Sequence, residues 1–224
     1  MTQNSQLEQF GLFAARAPRY TSYPTAPHFG TDVTEQDFIQ WVRAIEPGTA
    51  ISIYVHLPFC RRLCWFCACR TQGTSSDAPV TAYRDVLRAE IALLRRHLPT
   101  GVTLSGLHWG GGTPTIMPAE MIASLAAEIF DLAPLTGIFS VEIDPNEIDI
   151  ARLDALVAAG MNRASIGVQD FDPTVQAAIG RMQPFYLTRQ VVEMIRARGV
   201  TALNVDILYG LPHQDAMRMA ESVM

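Results

Sequence analysis

The strongest constraint on how this chain folds is an alternation of apolar runs that begins at residue 51. Apolar, β-branched stretches of strand length occupy 51–56, 104–109, 138–143, 164–168 and 202–208, with segments of helical periodicity between them. Val80, Tyr83, Leu87, Ile91 and Leu94 fall at helical spacing. So do Met121, Ile122, Leu125 and Ile129 behind Pro118, which suits a first-turn proline. Leu153, Leu156 and Val157 precede Gly160, which suits the residue just past a helix end. A helical stretch containing Ala177, Val191 and Ile195 runs up to Gly199, and Asp215 to Met224 suits a final helix. Five strand–helix units in series predict an α/β fold with a parallel sheet and right-handed crossovers. The near-continuous apolar strands predict burial on both faces.

An open doubly wound sheet and a partial (β/α) barrel both fit this order. The barrel is preferred because polar, glycine-rich or charged residues follow almost every strand. These are His56-Leu57-Pro58, Gly110-Gly111-Gly112, Asp144-Pro145-Asn146, Gln169-Asp170 and Tyr209-Gly210-Leu211-Pro212. In barrels the C-terminal strand ends build the active site. A complete eight-unit barrel takes about 250 residues, so 224 residues with five units predict a parallel barrel that is partial, truncated after about five β/α units. Residues 1–50 carry polar and Pro/Gly punctuation around one helical stretch near Glu35 to Ile45. They read as an N-terminal extension to an incomplete barrel at 51–224.

Composition removes several classes of function. With 49% hydrophobic and 17% charged residues this is a packed domain rather than a disordered chain. A net charge of −5 leaves no basic footprint for nucleic acid. All 17 basic residues are arginine, which excludes Schiff-base, P-loop and kinase chemistry that relies on a lysine. Met1 to Gln9 is polar, and no apolar run approaches the about 18 residues of a membrane span, so a cytoplasmic protein with no membrane contact is expected.

The four cysteines all lie within ten residues, at 60, 64, 67 and 69. A disulfide framework would spread its cysteines across the fold, so four thiols on one short loop point to a metal or redox site in a reducing compartment. Three thiolates on a tight loop suit an iron–sulfur cubane with one iron left open to bind something else. A structural zinc site with Cys69 as fourth ligand and a redox pair at Cys64 and Cys67 stay open on spacing alone. Trp65 and Phe66 are core filler on one reading and shield a cluster or its ligand on another.

Cys60-x3-Cys64-x2-Cys67 directly after a strand, with aromatic Phe66 before the last cysteine, resembles the signature of the radical S-adenosylmethionine (SAM) enzymes. Further stretches narrow the resemblance. They are Pro18-Arg19-Tyr20-Thr21-Ser22-Tyr23-Pro24-Thr25, Tyr54 to Cys60, Cys67-Ala68-Cys69, His108 to Thr115, Val141 to Pro145, Gly167 to Phe171 and Asp206 to Pro212. From about residue 18 to about 212 the chain is similar to the oxygen-independent coproporphyrinogen III oxidase (coproporphyrinogen dehydrogenase) family.

That resemblance implies a [4Fe–4S] cluster on Cys60, Cys64 and Cys67 and two molecules of SAM. Tyr54, Gly111 and Glu142 would bind the first SAM; Phe66, Gly112, Thr113, Gln169, Arg181 and Asp206 would contact the second. Cys69 would lie near the second SAM and not on the cluster. The implied reaction is the oxidative decarboxylation of two propionates of coproporphyrinogen III to vinyl groups, giving protoporphyrinogen IX in haem biosynthesis. A 5′-deoxyadenosyl radical from SAM would start it. The implied partners are coproporphyrinogen III and a reducing electron donor for the cluster, with the protein a monomer. The family's C-terminal helical domain is absent here, so little or no turnover is expected of this 224-residue form, and the unpaired barrel edge is an aggregation hazard.

Residue by residue, plainer readings stand beside these. Tyr54 points inward on its strand and suits plain core, while Arg181 taken alone reads as a surface salt bridge. For Asp206 the balance goes the other way: within the apolar run Leu203 to Leu208 a buried carboxylate is costly without a partner, which favours a functional role. His56 and His108 flank strand ends with no metal spacing between them and read as structural residues. Arg61, Arg62 and Arg70 are either solvated or placed to attract a substrate bearing propionates. The rival functions are a radical SAM-like haem chaperone and a non-catalytic haem- or metal-binding module.

Overall fold

The computed structural model describes residues 9–11 and 23–224, so the Pro18 to Ser22 part of the N-terminal motif lies outside the described residues. The chain separates into two compact units, Met1–Trp41 and Val42–Met224. In the first, Thr34 and Asp37 hydrogen-bond reciprocally at the start of helix α1 (Glu35–Arg43). The Thr34 N–H donates to the Asp37 carboxylate at 2.8 Å, and the Asp37 N–H donates to the Thr34 hydroxyl at 3.3 Å.

The second unit holds β1 (Ala50–Leu57), a short pair β2 (Phe59–Cys60) and β3 (Gln72–Gly73), and α2 (Ala78–His97). There follow β4 (Thr103–Gly111), α3 (Ala119–Leu132), β5 (Leu135–Ile143), α4 (Ile150–Ala158) and β6 (Arg163–Gln169). The order closes with α5 (Pro173–Ala178), α6 (Phe185–Ala197), β7 (Ala202–Ile207) and α7 (Ala216–Val223). The five long strands lie in the order β1-β4-β5-β6-β7, all parallel. Each strand sits beside the one before it in sequence. A doubly wound sheet reverses direction at a switch point; this one never does, and it is a wedge of a (β/α) barrel.

Strand positions match the expected runs closely, but burial on both faces does not occur. Only the helix-covered face is apolar. Val55, Leu57, Leu107, Trp109, Phe139, Val141 and Ile166 form a core with Ile122, Leu125, Ile129, Leu153, Leu156 and Ile195 from the helices. The opposite, inner face carries Tyr54, His56, His108, Glu142, Ser165, Asn204 and Asp206. The reason is barrel geometry: alternate residues point inward, and here the inner positions are occupied by polar side chains. Trp109 and Phe139 meet edge to face at 5.1 Å inside the apolar layer.

Two local expectations change. Pro118 is the residue before α3 and not within its first turn, with the extended backbone that a cap position takes. The stretch before Gly199 is two helices, because Gly180 adopts φ +68° and Pro184 starts α6 afresh. Gly160, φ +96°, does end α4: its N–H donates to Val157 O and that of Met161 to Leu156 O, the Schellman pattern.

Candidate functional site

The cysteine loop is closed at its base and pinned at its tip. Gln72 N–H donates to Pro58 O at 2.7 Å and Thr74 N–H to Cys60 O at 2.9 Å, joining β2 to β3. At the tip, Cys67 N–H donates to Cys64 O at 3.1 Å, and Trp65 N–H reaches Ile179 O at 3.0 Å. A Cβ on Gly180 would stand 2.5 Å from the Trp65 ring, so glycine is what lets the indole lie there. Trp65 is 83% exposed and is not core filler.

The glycine run brings β4 against this loop. Gly112 N–H donates to Leu57 O at 2.7 Å and Thr113 N–H to Phe59 O at 2.9 Å. A Cβ on Gly112 would lie 2.6 Å from the Phe59 carbonyl oxygen, and Gly111 takes φ +109° with its hydrogen facing the His56 ring. The result is a close backbone seam beside Cys60, whose sulfur accepts from the Thr113 hydroxyl at 3.5 Å.

Beyond the C-terminal ends of the strands lies an open cavity of about 860 Å³ including its mouth. Cys60, Cys64 and Cys67 line it together with Phe66 and Cys69. The strands add Gly111, Gly112 and Thr113, then Glu142, Gln169 and Asp206, and Arg181 comes from the connection between α5 and α6. Of the residues that the resemblance assigns to the cluster and to SAM, Tyr54 alone does not line this cavity. It stands on the inner face, 56% exposed and so not plain core, with its hydroxyl 3.0 Å from His56 Nδ1. His56 Nε2 donates to Arg70 O at 2.9 Å, which ties the end of the cysteine loop to β1.

Two expectations reverse. Arg181 is 8% exposed and no surface pair. It faces Asp144 at 3.1 Å and donates to Gly167 O at 3.0 Å, Gln183 Oε1 at 3.1 Å and Cys64 Sγ at 3.5 Å. Asp206 is exposed and not buried, because β7 is the edge strand and its inner face is uncovered. Its carboxylate accepts from Asn204 Nδ2 at 2.7 Å and Ser165 Oγ at 3.0 Å.

Sequence reasoning gave Asp144 no individual role and read His108 as a structural residue. Asp144, two residues after Glu142, lines the same cavity and faces both Arg181 and Arg62. His108 lies within hydrogen-bond reach of Glu142. Alternation along β4 and β5 is the signal that could have found both. Arg61 pairs with Asp77, leaving Arg70 as the arginine near the loop with no ion pair among the described residues.

Burial pushes the Cys60 and Cys69 thiols above their usual range, with Cys67 the next contribution at Cys69. Burial, then the Glu142 charge, likewise raises the Tyr54 hydroxyl. Thiols held neutral in this way are ones that cations must deprotonate on binding. Among the described residues no three His, Cys, Asp or Glu side chains converge on one point, as a single-ion zinc site requires. A cubane offers a separate iron to each thiolate, and three thiols on the wall of one cavity beside a side-chain-free glycine seam fit that donor pattern.

A parallel barrel wedge with a three-cysteine loop after its first strand defines a class of cluster-bearing (β/α) enzymes. The family model described as Radical SAM superfamily matches residues 54–223, and the chain belongs to that superfamily, whose cofactors are a [4Fe–4S] cluster and SAM. The chain is 64% identical over 225 residues to the oxygen-independent coproporphyrinogen III oxidase of Paracoccus denitrificans, covering 100% of this chain and 50% of that protein. To the Escherichia coli protein of the same name it is 44% identical over 200 residues, 88% of this chain and 43% of the relative. A solved structure described as coproporphyrinogen III oxidase (HemN) from Escherichia coli superposes with a TM-score of 0.85 at 38% identity, over 96% of this chain and 48% of that one. The chain thus spans about half the length of the curated relatives it matches. No helix among the described residues is long and apolar enough to cross a membrane.

Proposed function

We propose that this chain is the cluster- and SAM-binding barrel of an oxygen-independent coproporphyrinogen III oxidase. The observation that carries the proposal is convergence: the loop of Cys60, Cys64 and Cys67 and three other segments that supply Glu142, Arg181 and Asp206 line one cavity. The similarity to relatives of that name supports it. When bound, the reduced cluster and SAM supply a 5′-deoxyadenosyl radical able to take hydrogen from a substrate propionate.

Each residue then has a task. Cys60, Cys64 and Cys67 hold the cluster, and Thr113 and Arg181 donate to the Cys60 and Cys64 sulfurs, which steadies thiolate charge. Glu142 and Tyr54 receive the first SAM alongside Gly111. Phe66, Gly112, Thr113, Gln169, Arg181 and Asp206 receive the second. Arg70 is the arginine left to meet a propionate of coproporphyrinogen III. Residues 1–50 are the extension that adds a substrate-site segment to the barrel of 51–224. The setting is a cytoplasmic monomer fed by a reducing electron donor.

The test is anaerobic reconstitution with iron, sulfide and zinc assayed together, followed by SAM cleavage under dithionite. About four iron and four sulfide per chain, lost in C60S, C64S and C67S but kept in C69S, is the expected result. Zinc without sulfide overturns the reading, and so does a cluster that cleaves no SAM.

A further inference from the structure

His108 sits between two residues that the reading above places on the first SAM. On one side its ring stacks on Tyr54, centroids 5.6 Å apart and planes 14° from parallel. On the other its Nε2 lies 3.3 Å from Glu142 Oε1. The second carboxylate oxygen, Oε2, accepts from the Gly111 N–H at 3.1 Å. One strand, β4, therefore grips Glu142 at both oxygens, through a side chain at 108 and a backbone donor at 111. Gly110 makes the grip possible. A Cβ there would stand 2.9 Å from the Glu142 carboxyl and 3.0 Å from His108 Nε2, wedged between the two groups.

We infer that His108 is a positioning residue that fixes the Glu142 carboxylate for SAM. The inference rests on Glu142 being a SAM ligand. A carboxylate facing open solvent samples several rotamers, and ordering it on binding costs free energy that a preset orientation avoids. The imidazole presents Nε2–H as donor to Oε1, and the Tyr54 ring keeps the imidazole plane from turning away. The lone pairs of Glu142 that remain face the cavity, where hydroxyl or ammonium groups of the ligand would reach them.

The experiment uses the reconstituted chain and measures the Kd for SAM by equilibrium dialysis, with iron content and Tm recorded for every variant. H108F keeps an aromatic ring on Tyr54 and removes the donor; H108Q restores an N–H donor. H108F is expected to weaken SAM binding about 10- to 100-fold, the range for one hydrogen bond to a charged group. H108Q is expected to recover most of that loss, with iron content equal in both. Equal losses in H108F and H108Q overturn the inference, since packing and not the donor would then matter. E142A separates the inference from its premise. If E142A weakens binding and H108F does not, the role of His108 falls alone. If E142A leaves the Kd unchanged, Glu142 is no SAM ligand and both fall.

Discussion

Replacing Arg181 by Met tests whether the buried cation organises the site. Met retains most of the aliphatic stem and removes the guanidinium. The structure sets the size of the effect. The Arg181 and Asp144 side chains are 10% and 13% exposed and 3.1 Å apart. Removing one partner of a buried pair costs about 3–5 kcal/mol, because the other charge is left uncompensated. Arg62 Nη2, already 3.8 Å from Asp144, can close on the carboxylate and holds the expected cost near the lower end, about 3 kcal/mol. With a urea m value of about 3 kcal/mol/M, suited to a domain of this size, the unfolding midpoint falls by about 1 M. The assay is urea unfolding of the apo chain under reducing conditions, in a cycle with D144N. Coupling of about 1–3 kcal/mol between the two sites is expected for groups in contact. A midpoint shift under about 0.3 M with no coupling would refute the reasoning, since that is the range of a solvated surface pair.

Three further outcomes follow from the geometry. Gly112→Ala would place its Cβ against the Phe59 and Leu57 carbonyl oxygens, which are backbone and have no flexible end to yield; a loss of about 1–3 kcal/mol with reduced iron uptake on reconstitution is expected. Asp170, fully buried, accepts from Gln214 Nε2, Ser222 Oγ and Asp172 N–H at 2.6, 2.9 and 2.7 Å, so Asp170→Ala should cost about 1–3 kcal/mol for each buried donor left unpaired. Amide exchange should rise first in α7, and uniform exchange across the sheet would count against this. The Asp149 carboxylate caps α4 and is held below its ordinary 3.8, chiefly by the Arg152 N–H. Its stabilisation is present above that value and lost as pH falls through the lower folded value. Asp149→Asn keeps a cap but should flatten the acid limb of stability against pH, and an unchanged limb would show the carboxylate is not responsible.

Features carried by neighbouring residues were legible before any coordinates. The five strand runs, the Schellman glycine at 160 and the cysteine spacing depend on stretches of ten residues or fewer, where side-chain type and period act directly on the backbone. The cut between α5 and α6 was less visible. Apolar periodicity continues across it, and the break is made by Gly180 at φ +68° and Pro184, single residues that the period does not register.

Burial of charge obeyed no such local rule. Arg181 looked like a surface residue because its partners Asp144, Gly167 and Cys64 come from three other segments. Asp206 looked buried because its neighbours in sequence are apolar, yet the strand lies at the sheet edge with its inner face uncovered. His108 and Glu142, 34 residues apart, meet only because β4 and β5 pair with His108 opposite Ser140, which leaves Glu142 a strand-step further toward the cavity. The sequence by itself determined the alternation of elements, the chemistry of the thiol loop and the side chains available at the strand ends. Tertiary structure decided which of those side chains face one another and which charges lose water, because register and sheet order are set by pairing between segments distant in the chain.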